Sequence, residues 1–379
     1  MSKLRLLYIY TFLHYAGSSI GGLFSAVLLY TLGFSLSHVL VFYGLHWGVM
    51  GLITPLTPVI VAKIGYFRAE ACAAIAILSA NIILTTIPME HANFAIFGLL
   101  LVLYGVGGAL TVPIQFTMKV RFIPEEKRGT TNGQLFALRA VAVMCGSLLV
   151  GFFLSHTFVM ITAIAGALLA SLIPLGMMFA GTRRPPTKYS YKATLKAINS
   201  KQLRPFIPVL AIRSFMHVER VLVPLYIFLV VGDIFVLALY IVLATLVEMV
   251  VMMTFGGRYD KNRRRTFRTA AGFRSLASIS LCFRPLVERV PIFGQIYSRI
   301  AGRSYDNIFL TYNQRIINKS KLDATTASSA LETILCWTEL VVCLVFAAMA
   351  LTIGTDIFFV IFGASVFAAW SIYYRLRKV

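Results

Sequence analysis

Apolar runs of about 20 residues recur from one end of this 379-residue chain to the other, and about 20 helical residues is the length that crosses roughly 30 Å of hydrocarbon. Lipid offers no hydrogen-bond partners, so a crossing run must satisfy its own backbone as a helix. With 59% of residues hydrophobic and a mean hydropathy of +0.82, too little polar sequence remains to coat a soluble core. The chain is therefore read as an all-α polytopic membrane protein. Reading apolar runs between polar breaks gives twelve spans: 7–32, 37–62, 69–88, 92–118, 132–154, 156–180, 206–231, 234–256, 268–286, 292–316, 324–350 and 355–374. The first begins like a signal peptide, but its apolar stretch continues to about Phe34. That is too long for a cleaved segment, and it is read as a retained span.

The net charge of +21 invites a polyanionic partner until the charges are located. Of the 35 Lys and Arg, 27 fall in alternate connectors and at the two termini, whereas the intervening connectors hold only Arg284 and Arg289. Such asymmetry is a topology signal that places both termini in the cytoplasm, and it removes the need for nucleic acid. The longest connector, 181–205, carries Pro-Pro and seven basic residues. It divides the chain into an N-terminal half (1–180) and a C-terminal half (206–379) of six spans each, with a short amphipathic helix expected over Tyr191 to Ile198 at the lipid surface. Cys72, Cys145, Cys282, Cys336 and Cys343 lie in or beside apolar runs without a Cys-x-x-Cys pair, which makes them small core residues rather than a disulfide framework or metal site.

The halves repeat. At an offset of 195 residues, Arg128-Gly129-Thr130-Thr131 aligns with Asp323-Ala324-Thr325-Thr326, and "VAKIGYFR" (61–68) meets "GGRYDKNRR" from Gly256. The stretch "GGRYDKNRRR" (256–265) resembles the signature loop of the major facilitator superfamily, G-x-x-x-D-R/K-x-G-R-R/K. Gly256 takes the first position, Asp260 the acid, Lys261 the following base, and Arg264 and Arg265 the basic tail, while Arg263 replaces the second glycine. The first-half copy keeps Gly65, Tyr66, Phe67 and Arg68 but lacks the aspartate. The resemblance implies two pseudo-symmetric six-helix bundles that rock about a central site, with Gly65, Arg68, Gly256, Asp260, Lys261, Arg264 and Arg265 as a conformational gate. An aspartate facing basic residues and a helix end can hold one conformation and release in the other. The patterns of proton-driven drug antiporters are absent: Leu101 stands where their span-four arginine precedes a glycine, and no proline follows Gly146 or Gly151.

In this superfamily the first helix of each three-helix repeat lines the cavity. Span ten carries Arg299, Arg303 and Asp306, and span seven carries Arg213, His217 and Arg220. Each set is spaced 4 and 3, so each lies on one helical face. Span one offers Tyr10 and His14, with Ser18, and span four Tyr104 and Gln115, with Thr111. A charge at mid-bilayer costs about 2.5–3.5 kcal/mol, so these arginines must face a wet cavity or pair with acids such as Glu219, Glu248, Glu332 or Asp306. Four arginines against one aspartate leave surplus positive charge, which favours a small solute bearing carboxylate or phosphate. Glu248, Glu332 and Glu339 sit in apolar stretches where burial disfavours the charged form; they are the expected coupling groups, with His217 as an alternative.

The expectation is a monomeric secondary transporter of the plasma membrane (the inner membrane in a Gram-negative source). It would be driven by a proton or ion gradient, with no cofactor, metal or nucleic acid. An exporter or flippase of an amphiphile is the alternative within the same fold. A receptor or membrane enzyme is the alternative outside it, disfavoured because there is no sizeable soluble domain, His-rich metal motif, Gly-x-Ser-x-Gly elbow or nucleotide loop. Small residues in "AGSSIGGLFSA" (16–26) and "GVGGA" (105–109) would permit close helix contacts.

Overall fold

The computed structural model describes residues 2–22, 25–87, 93–153, 156–180, 189–200, 203–204, 207–262 and 322–376, with short helical pieces between 265 and 317. The described chain is helical throughout. Its helices are α1 (Lys3–Gly22), α2 (Ser25–Thr31), α3 (Leu36–Ile53), α4 (Thr57–Thr86), α5 (Phe94–Phe122), α6 (Arg128–Phe153) and α7 (Thr157–Phe179). They continue with α8 (Tyr191–Ile198), α9 (Ile207–Val231), α10 (Ile234–Lys261), α11 (Ala324–Thr352) and α12 (Thr355–Leu376). Among the described residues, seven helical runs are long and apolar enough to cross a membrane. One of them, Leu36–Thr86, has 51 residues, about 75 Å of helix at 1.5 Å per residue, and contains both the second and third expected spans. Nearly all of the ninth expected span and most of the tenth lie outside the described residues.

Local sequence sets the helix starts. Polar residues supply N-caps: Ser35 accepts from the His38 amide, Asn93 from those of Ala95 and Ile96, Asp233 from that of Val236, and Ser190 from that of Ala193. Each satisfies backbone donors that the first helical turn leaves open. The sharpest internal break is Gly65, with φ at 85° and ψ at 162° inside α4. This is a left-handed backbone that only glycine adopts without strain. The connector expected between spans two and three is thus a one-residue kink.

α6 packs most extensively on α10 and α3 on α11, while α1 lies against α6 and α7 and α4 lies against α5. At the 195-residue offset, α3 corresponds to α10 and α6 to α11. The two long crossings, α6 with α10 and α3 with α11, are therefore one crossing made twice with the halves exchanged. The α3–α11 crossing is close because Gly44 and Gly48 face Cys343 and Leu340 of α11, leaving no room for larger side chains. Gly105 in α5 lies against Val49 in the same way. The linker helix α8 forms over the expected residues. However, its inner side, Thr194 and Ala197, is buried against α11 and the Thr54–Leu56 turn, so protein rather than lipid covers that face.

Candidate functional site

A cavity of about 340 Å³ lies between α1, α4, α5, α6, α9 and α11. Its described wall carries three basic side chains, Lys119, Arg139 and Arg213, against a single carboxylate, Glu332. His14, His217, Thr111, Gln115, Asn313 and Ser328 add hydrogen-bonding groups, and Phe116, Phe136 and several leucines supply apolar surface. Arg213 and Glu332 interact electrostatically across the cavity wall. Arg139 lays its guanidinium over the Tyr15 ring at 4.1 Å, and the Lys119 ammonium sits 5.8 Å from the Phe136 ring centroid. Ring faces attract these cations without neutralising them. Among the described residues no carboxylate forms an ion pair with Lys119 or Arg139.

The expected site residues divide into those the fold brings to this cavity and those it sends elsewhere. Arg213, His217, His14, Gln115 and Glu332 line it. Tyr10 does not: it is fully buried in the core between α1, α4 and α5, where its hydroxyl donates to Glu70 Oε1 at 2.5 Å. Tyr104 likewise donates to Asn81 Oδ1 at 2.6 Å, away from the cavity wall. Both were expected on α1 and α5 faces that the rotation of these helices turns into the core.

Glu339 is buried one step behind the wall, where it contacts His217 Nδ1. Glu248 is buried on α10 and is not part of the cavity wall. Two of the three expected coupling acids thus lie off the cavity wall. Arg299, Arg303 and Asp306, and the side chain of Arg220, lie outside the described residues.

The signature loop has definite partners. Asp260, at the end of α10, accepts from the backbone amides of Gly129 (3.0 Å) and Thr130 (2.7 Å) and from the Thr130 hydroxyl (2.8 Å). It therefore caps α6, a helix that begins more than a hundred residues away in sequence. An anion at a helix N-terminus is favoured by both the open amides and the dipole. Lys261, Arg265 and Arg68 are exposed, Gly256 lies within α10, and Arg264 lies outside the described residues.

At the pseudo-symmetric position Gly65 replaces the aspartate, and α11 is capped by its own Asp323, which accepts from the Thr325 and Thr326 amides. Arg121 reaches Asp323 at 3.7 Å and covers the Tyr66 ring at 5.1 Å. The Tyr66 hydroxyl shares a hydrogen bond with that of Thr325 at 2.7 Å. The two junctions hold equivalent helices by different chemistry.

Sequence reading missed four groups here: Glu70, Arg139, Lys119 and Tyr15. Glu70 follows Arg68 at the start of an expected span and reads as loop charge, yet it is fully buried. Lys119, at the end of span four, likewise reads as one of the connector charges. Arg139 is a charge inside span five, which the family resemblance does not place at the cavity. The usable signal was cost: a lone arginine inside an apolar span needs water or partners.

No protein-family model matches the chain. In sequence it is similar to an uncharacterized MFS-type transporter, YddS, of Bacillus subtilis (strain 168), at 29% identity over 141 residues. The match covers 37% of this chain and 32% of that protein, so the chain spans about a third of the relative's length. In structure, the whole chain superposes on a bacterial homologue of the iron transporter ferroportin in its outward-facing state. The TM-score is 0.73 at 14% identity, with 100% of both chains covered. A second structure of such a homologue, soaked with iron, gives 0.73 at 13% identity over 99% of this chain and 98% of that one. Whole-chain fold and apolar helices agree: the chain is a multi-pass membrane protein with the fold of those transporter homologues, and part of it is similar in sequence to an MFS-type transporter.

Proposed function

We propose that this transporter moves a small anionic solute by alternating access and couples that movement to protons. The observation that carries the reading is the cavity wall, where Lys119, Arg139 and Arg213 face one carboxylate, Glu332, among the described residues. Guanidinium groups bind carboxylate and phosphate through paired hydrogen bonds, and a water-poor pocket strengthens such contacts. The halves 1–180 and 206–379 are the rocking units, joined by the linker 181–205, with both termini on the basic, cytoplasmic side. The Asp260 cap on α6 ties the halves together at the signature-loop side. This fits an outward-facing state like that named for the structural neighbours.

A second reading is a divalent metal ion, since those neighbours are described as iron transporter homologues. Its support within this chain is the contact of His217 with Glu339, with Glu332 two helical turns away on α11. Among the described residues, no three His, Cys, Asp or Glu side chains gather as a metal site.

A thermal-shift screen of purified protein separates the readings, using inorganic phosphate, succinate, manganese(II) and a lysophospholipid. Stabilisation by phosphate or succinate that is lost in Arg139→Gln and Arg213→Ala is the expected result. Stabilisation by manganese alone, lost in His217→Ala, establishes the metal reading instead. Response to the amphiphile alone, with all three variants behaving as wild type, points to an exporter of amphiphiles. Uptake into proteoliposomes with and without a pH gradient tests the coupling; equal rates remove the proton.

A further inference from the structure

We infer that the coupled proton is carried by a His14–Glu70 pair in the N-terminal half, a site distinct from the acids of α10 and α11. This rests on the anion-transport reading above for its role in coupling, though not for its existence.

Glu70 is completely buried and His14 is 3% exposed, and His14 Nδ1 stands 3.6 Å from Glu70 Oε1. Three groups converge on that one oxygen: Tyr10 donates at 2.5 Å, Thr111 donates at 3.2 Å, and His14 completes the set. Among the described residues the other oxygen, Oε2, has no hydrogen-bond partner, and neither does His14 Nδ1. A buried carboxyl with one oxygen fully engaged and the other idle has a vacant place for one proton, and an adjacent imidazole has a second. Leaving a buried polar atom unsatisfied is costly, so an arrangement that keeps two of them on neighbouring groups needs a reason. Sharing a mobile proton supplies one.

Access is through His14, which lines the cavity while its neighbour Glu70 does not. Loading consumes one hydronium ion from the cavity, forms one N–H bond on His14 or one O–H bond on Glu70, and leaves water. Unloading reverses this toward the opposite side after the halves rock. Around the pair, α1 brings Tyr10, His14 and Tyr15; α5 brings Thr111, Gln115 and Lys119; α6 brings Arg139; and on the cavity wall that His14 shares, α9 brings Arg213 and His217 and α11 brings Glu332. α7, also packed on α4, has no titratable side chain.

The pair is connected to the cations of the cavity. Gln115 donates to the Tyr10 hydroxyl at 3.2 Å and accepts from Tyr15 at 2.9 Å, and Arg139 covers the Tyr15 ring. Arg139 and Lys119 also act on His14 electrostatically. An anion that neutralises these cations removes a repulsion felt by a proton on the pair. By linkage, a loaded pair equally favours the anion. Proton and anion then travel together.

Infrared difference spectroscopy of purified protein, titrated from mildly acidic to mildly alkaline pH, reads the buried carboxyl directly. The wild type is expected to show a protonated-carboxyl C=O band that titrates. That band should disappear in Glu70→Gln, persist in Glu339→Gln, and change its pH profile in His14→Gln. Glu70→Asp, which keeps a carboxyl, moves the band without deleting it and guards against a folding defect in Glu70→Gln. A titrating band that survives in Glu70→Gln overturns the assignment. So does a band displaced at constant pH by sodium or manganese(II), which makes the pair a metal-ion site.

Inorganic phosphate added at constant pH is expected to enlarge the band in wild type and not in Arg139→Gln. A titrating Glu70 band that ignores every anion leaves the proton site standing and refutes its coupling to anion transport.

Discussion

At the scale of single residues, one buried carboxyl organises the N-terminal half. Glu70 collects donors from α1 and α5, and those donors were drawn from positions that a sequence reading assigns to a solute. Tyr10 illustrates the consequence. Its hydroxyl is fully buried and bridges Gln115 to Glu70, so Tyr10→Phe removes the shortest of the bonds to Glu70 Oε1 and leaves the Gln115 amide donor without its acceptor. The expected loss is about 1–3 kcal/mol for a buried group left unsatisfied, read as a lower Tm of the purified protein. Because Tyr10 lies off the cavity wall, Tyr10→Phe should retain the anion-dependent thermal shift that Arg139→Gln loses. Loss of the shift in Tyr10→Phe as well would return this tyrosine to the binding site.

At the scale of elements, small residues and caps decide which helices meet. A β-carbon at Gly44 would stand 3.0 Å from Cys343 Cβ, closer than two such atoms settle. Gly44→Val should therefore force α3 and α11 apart at an overpacking cost of about 1–3 kcal/mol. Combining Gly44→Ala with Cys343→Gly should recover most of the stability lost in Gly44→Ala alone, since the crossing needs one small partner rather than a glycine on a particular helix. A double variant no more stable than Gly44→Ala would show that the crossing is held elsewhere. The linker helix α8 belongs to the same scale: its register was readable from amphipathicity, while the surface it covers was not.

At the scale of the whole molecule, the repeat is conserved in topology and inverted in chemistry. One junction uses an aspartate from α10 to cap α6. Its counterpart uses an aspartate at the start of α11 to cap that same helix, and adds Arg121 and Tyr66 as a brace. Only the first junction makes the cap itself a bond between distant parts of the chain. Asp260→Ala should thus cost about 0.5–2 kcal/mol, the range for a lost N-cap, and also loosen the α6–α10 contact. Asp323→Ala should cost a similar amount and leave that contact intact. Spin labels at Glu126→Cys and Arg258→Cys, both exposed positions near that junction, report the difference. A broadened distance distribution is expected with Asp260→Ala alone, and equal distributions in the two variants would remove the asymmetry.

The sequence alone determined the class of fold and marked the loop that carries Asp260. Each long apolar run meets lipid on its own terms, so its length and backbone chemistry suffice to make it a helix, whatever its neighbours do. The signature loop is likewise local, and Asp260 could be picked out before its partner was known. The sequence also assigned Arg213 and His217 to the cavity, because a charged face on a membrane helix has few other places to go. Only the tertiary structure decided the rest. Whether Tyr10 or Tyr104 meets a solute or a buried partner depends on how far each helix is rotated. Whether Glu70 is a loop charge or the centre of a hydrogen-bonded core depends on which helices surround it. Those are properties of the packed arrangement, since a side chain's environment inside a membrane bundle is made almost entirely of residues distant in sequence.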